Sequence, residues 1–194
     1  MIAKPDYDHL YEIAESQAGY FTAGQAREAG FSWERLSSNV KSGLFIRVAR
    51  GVYRLTRFPS SPHEDLFVAW LKTGHSAVIS HESALAVYEL SDVLPSEIHV
   101  IVPRTSSRRR KGIRQHTNQL TPNEITQRAG LPLTTVVRTI ADVSTTGLAE
   151  EQILQAIHEA IQRGHISEKE LQSYAEQRGG RVKQIVQSAF GGGN

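Results

Sequence analysis

The stretch SWERLSSNVKSGLFIRVARGVYRL, residues 32–55, constrains the fold most. Ser32 can cap a helix that stops at Gly43. On that helix Trp33, Leu36 and Val40 fall on one face, and Glu34, Arg35, Ser38, Asn39 and Ser42 on the other. LFIRV and VYRL, joined through Ala49-Arg50-Gly51, read as a tight two-stranded ribbon. Tyr7–Ala18 carries Leu10, Ile13 and Ala14 at helical spacing. Thr22 can cap a second helix, with Gln25 completing a capping box and Gly30 ending it.

Helix, short glycine-containing turn, helix and basic hairpin is the order of a winged helix-turn-helix. In that arrangement the third helix enters the DNA major groove while the second crosses the backbone. The outward face of the third helix offers Arg35 and Asn39, side chains that read base edges, and Ser38 and Ser42, which bond phosphates or bases. Arg47, Arg50 and Arg54 lie on or beside the hairpin, where they can meet phosphate or the minor groove. The same spacing equally suits a small helical bundle whose basic face is simply solvated. Glu34 argues mildly against groove entry.

Charge distribution says more than net charge, which is only +2. Lys41 to Arg57 holds five basic residues and no acid, and Arg104 to Arg114 holds six and no acid. The second run, RTSSRRRKGIR, lacks the interleaved aromatics of a single-strand stacking platform. It reads as a mobile, solvated hairpin loop or a generic polyanion or partner contact through Arg108, Arg109, Arg110 and Lys111.

The proline- and serine-rich RFPSSPHED marks a boundary near Pro59–Pro62, dividing the chain into residues 1–58 and 59–194. The second part reads as α+β. His63–Thr73 and Ser80–Leu90 are helix-like, EIHVIV alternates as a strand, and a partner strand follows around Gly112–His116. TTVVRTIADV is helical, and so is the tail, where Ser167 and Glu170 form a capping box ahead of Leu171 and Tyr174. The terminal GGGN is the one low-complexity piece and is expected to lack fixed structure.

Enzymatic readings fare poorly. Cysteine is absent and the eight histidines are scattered, so the sequence presents no zinc ligand set, and no metal or other cofactor is expected. None of the His-Glu pairs continues to HExxH, and neither a Walker A nor a GxGxxG motif occurs. Ser80, His81, Glu82 and Ser83 are adjacent and cannot face one another as a triad; Ser80 reads as a helix cap. Arg138 and Asp142, four apart, read as a structural ion pair rather than a catalytic one. No apolar run approaches the length of a membrane helix, and the N-terminus lacks the order of a secretory signal, so a cytoplasmic protein is expected.

Three stretches in order carry a more specific signal. YFTAGQAREAGFSWERLSSNVKSGLFIRVARGVYRL resembles the winged-helix domain of the AbiEi family of bacterial type IV antitoxins. AVISHESALAVYELSDVLPSEIHVIVPR and GLPLTTVVRTIADV resemble two signature stretches of the antitoxin domain that follows it. The resemblance implies an N-terminal winged helix-turn-helix followed by a mixed α/β antitoxin-type domain with a small sheet and C-terminal helices. It implies a repressor that binds double-stranded DNA upstream of its own operon and opposes a nucleotidyltransferase-like toxin without needing a stable complex. Arg35, Ser38, Asn39, Arg47, Arg50 and Arg54 fall on the DNA-contacting elements, whereas Ser80, Arg138, Thr139 and Asp142 match positions with a structural role. Longer relatives continue into an endonuclease-like domain that this sequence does not reach, so nuclease activity is not implied. Three rivals predict different behaviour: a stand-alone regulator without a toxin, a nucleic-acid-processing enzyme, and a module that binds an acidic protein.

Overall fold

The structure, a computed structural model, describes residues 4–92, 95–106 and 109–191. The chain forms two compact units, Met1–Ser76 with Ala129–Leu131, and Ala77–Arg128 with Pro132–Asn194. The architecture is mixed α and β, as expected.

The first unit begins with α1 (Tyr7–Glu15), capped by the Asp6 side chain on the His9 amide. It ends sooner than its periodicity predicts, because Ala18 and Gly19 turn the chain at positive φ. Then come β1 (Tyr20–Thr22), α2 (Ala23–Glu28) and α3 (Trp33–Lys41). Both halves of the Thr22–Gln25 capping box form, and Ser32 accepts from the Arg35 amide. Gly30, at φ 79°, makes the turn between α2 and α3, where an added Cβ would lie 3.0 Å from the Lys4 carbonyl oxygen. No ordinary side chain enters that turn without strain.

β2 (Phe45–Ala49) and β3 (Val52–Leu55) follow, and β1 joins them in an antiparallel sheet of order β1-β3-β2. The core gathers Leu10, Ala14, Phe21, Ala26, Phe31, Leu36 and Phe45, with Phe21 and Phe45 meeting edge to face at 5.1 Å. α4 (Glu64–Thr73) also belongs here, so the units part at Ser76/Ala77 rather than near Pro59. The reason is aromatic. Phe67 of α4 stacks on Tyr20 at 4.7 Å, and the Tyr20 hydroxyl donates to Glu64 at 2.9 Å. The prolines mark a turn inside the unit, not a linker.

The second unit holds β4 (Val78–Ile79), α5 (His81–Tyr88), β5 (Ile98–Ile101), β6 (Ile113–His116), β7 (Ile125–Arg128) and, from Pro132 on, β8 (Leu131–Thr134). It continues through α6 (Val136–Val143), α7 (Glu150–Gln162), α8 (Glu168–Arg178) and α9 (Gly180–Gly191). The sheet order is β6-β5-β4-β8-β7. β5 and β6 run parallel, so the arginine-rich segment is a crossover and not a hairpin loop. α6 is buried along its whole length and packs against α5, α7 and α8. Among the described residues no helix is long and apolar enough to cross a membrane. Of the terminal GGGN only Gly191, the end of α9, is among the described residues.

Candidate nucleic-acid interface

α3 is held by its caps and by Leu36, leaving Arg35, Ser38 and Ser42 exposed. Steps of three and four residues put these side chains along one face. The Ser42 hydroxyl donates to the Asn39 carbonyl at 3.2 Å, closing the end of the helix. Arg47 is exposed on β2, and Arg50 is exposed at the β2–β3 turn, where Gly51 at φ 77° permits the reversal. Within the described residues Arg35, Lys41, Arg47, Arg50 and Arg57 carry no ion pair. Their charge therefore faces solvent unneutralised, although Glu34 adds an acid to the first turn of α3. Its own backbone amide and the Ser32 hydroxyl hold that carboxyl below its ordinary pKa.

Two side chains expected on this face are engaged inside the unit. Asn39 is 5% exposed and hydrogen-bonds the Tyr7 hydroxyl of α1 at 3.2 Å. Trp33, expected in the core, is 56% exposed instead. The helix is rolled so that Leu36 and Asn39 face inward, because Tyr7 offers the amide a partner. Arg54 is half-buried: its guanidinium donates to the Phe58 carbonyl, lies 3.9 Å from Glu64 and sits 6.0 Å from the Tyr20 ring centroid. It fastens β3 to the chain leading into α4.

Of the second basic run, Arg108 lies outside the described residues. Arg109, Arg110 and Lys111, with Glu97, Arg114 and Gln115, line an open cleft beside β6.

Two buried polar clusters occupy the second unit. Arg138, 2% exposed, bonds Asp142 at 2.9 Å, Glu124 at 3.0 Å and the Gln119 carbonyl at 3.1 Å. Tyr174 and Arg178 of α8 also bond Glu124. Burial opposes ionisation of Glu124, but the Thr121 amide, the Tyr174 hydroxyl and Arg138 outweigh it and hold the carboxyl at about 2. Arg138 and Asp142 form the expected structural pair, with Glu124 as a third member that their spacing did not announce.

The other cluster overturns the scattered reading of the histidines. His81 at the start of α5, His99 on β5 and His116 on β6 place one ring nitrogen each within 4.8 Å of one another. The sheet brings them together. His116 pairs with Ile101, two residues beyond His99, so both imidazoles emerge on one face. β4 lies beside β5 and delivers His81, with the Ser80 amide bonded to the His99 carbonyl at 3.0 Å. Ser80 occupies the cap position of α5 without making the cap bond; its hydroxyl lies 2.9 Å from His81 Nδ1. His81 itself adopts φ 53°, in the left-handed region that Ala18, Glu89 and Ala129 also occupy. Glu82 lies 2.6 Å from His99 Nδ1. Burial, aided by the neighbouring imidazoles, pushes His81 down to about 3; burial, His99 and Arg114 push His116 down to about 4.

The chain is similar in fold to the Rv2827c protein from Mycobacterium tuberculosis, whose crystal structure superposes with a TM-score of 0.53 at 12% identity, covering 98% of this chain and 80% of that one. No curated protein matches the chain significantly in sequence. A family model described as "Transcriptional regulator, AbiEi antitoxin" matches residues 8–56, the stretch from α1 through β3. The motifs quoted from the second unit lie beyond that match. Residues 8–56 thus match the AbiEi antitoxin family of transcriptional regulators, the family that the N-terminal motif resembles.

Proposed function

We propose that this protein is a DNA-binding repressor that acts in the cytoplasm as the antitoxin of a type IV pair, repressing its own operon and opposing a nucleotidyltransferase-like toxin. The family match over residues 8–56 supports DNA-binding antitoxin function in general. The observation that carries the reading is the exposed, unneutralised set Arg35, Arg47 and Arg50 on α3 and the ribbon, with Ser38 and Ser42 beside it. Arg35 and Ser38 are assigned to base edges, and Arg47 and Arg50 to phosphates. Asn39 and Arg54 are assigned to positioning α3 and β3, given their internal bonds. DNA binding belongs to the first unit, and the antitoxin-type domain to the second. No step of bond making is assigned to the chain.

A reporter driven by the DNA upstream of this gene tests repression. Expression of the protein is expected to lower the signal, and the double variant R35A/R50A to restore it. Equal signal with and without the protein would contradict the repressor role. Growth arrest by a neighbouring nucleotidyltransferase, relieved by this protein, would support the antitoxin role; unrelieved arrest would favour a stand-alone regulator.

A further inference from the structure

The geometry points to a transition-metal site in the second unit, formed by His81, His99 and His116, that takes one divalent ion of the imidazole-favouring class, zinc foremost. It is independent of the DNA-binding reading, which rests on the first unit.

The first argument is spacing. A tetrahedral ion bound at about 2.0–2.1 Å to nitrogen holds its ligand atoms about 3.3 Å apart. His116 Nε2 and His99 Nδ1 already lie 3.4 Å apart, and the nitrogen of His81 completes a set within 4.8 Å. The second is chemistry. Three imidazoles suit zinc, copper, nickel or iron, and are the wrong donors for calcium or magnesium, which require oxygen. The third is the surrounding. His81 and His99 are buried, so neither pairs freely with water, while His116 is partly open and leaves a way in. Glu82 Oε2, buried without a hydrogen-bond partner, lies 2.6 Å from that same His99 Nδ1, so its carboxylate stands inside the cluster as a candidate oxygen ligand. Ser80 fixes one nitrogen of His81 and leaves the other for a ligand role.

The alternative is an aromatic packing cluster. Stacking of His81 on His116 at a centroid distance of 3.7 Å is compatible with it. Packing alone does not account for three polar rings converging nitrogen to nitrogen beside a carboxylate. Binding requires the stacked rings to splay until both lone pairs meet the ion. The three imidazoles leave a fourth position, which the Glu82 carboxylate or a water can fill.

The test is cobalt titration of the untagged full-length protein after treatment with a chelator. One Co2+ per chain is expected, with the visible absorption of a four-coordinate nitrogen site, displaced by Zn2+. H116Q, at the partly open position, should weaken binding by about 100-fold or more, and E82Q by about 10–100-fold. H158Q, on an exposed face of α7, should leave it unchanged. Metal-free melting curves establish that each variant is folded, and the wild-type stoichiometry stands as a test even if H116Q is not. Absence of saturable binding by the wild type would overturn the site, as would binding that a folded H116Q retains in full.

Discussion

At the scale of single residues, the two roles proposed for the exposed arginines can be separated by measurement. Arg35 stands on the first turn of α3, where a helix N-terminus meets base edges in the groove. Arg35→Ala is expected to cost about 1–3 kcal/mol against the native site and to narrow its preference over random DNA. Arg50 is exposed at the β2–β3 turn, and the proposed function assigns it to phosphate. Arg50→Ala should weaken both duplexes alike and flatten the salt slope by about one. Binding isotherms at several salt concentrations check both. If Arg35→Ala left discrimination intact, α3 would not be the reading element.

At the scale of elements, α6 shows what a buried charge costs when its partners are removed. Arg138→Met would strip Asp142 of its ion partner in the core and leave Glu124 to Arg178, Tyr174 and the Thr121 amide. The expected loss is about 3–5 kcal/mol, read by urea denaturation. An unchanged midpoint would mean that the carboxylates find other partners. Glu124 also sets an acid limit. Its folded pKa, about 2, lies below its ordinary 4.5, so its contribution is complete above about 4.5 and is lost as pH falls towards 2. Unfolding free energy followed across that window should decline on acidification, and less steeply in Glu124→Gln.

The elements also show where the sequence is legible. Thr22–Gln25, Ser32 and Gly30 obey local rules, and helices and ribbon of the first unit stand where those rules put them. The roll of α3 was not legible, because a nine-residue helix can bury either Trp33 or Asn39, and only Tyr7 of α1 decides between them. β4 is two residues long, too short for any periodicity, and Pro132 lacks the amide a strand expects, which hides β8. His81, His99 and His116 come from three elements, and their meeting is written only in the strand order.

At the scale of the molecule, a net charge of +2 gives little general attraction to DNA. Affinity must come from the local run between Lys41 and Arg57, which holds no acid. Such binding is dominated by phosphate contacts and falls steeply with salt, while sequence choice comes from few side chains. Fluorescence anisotropy with the protein's own upstream duplex and a shuffled duplex, at two salt concentrations, therefore tests sequence-specific DNA binding. A repressor of its own operon is expected to bind the native duplex more tightly by about 10³ or more, with a steep salt slope. Equal, weak binding to both would contradict it, leaving the ribbon arginines as general polyanion contacts.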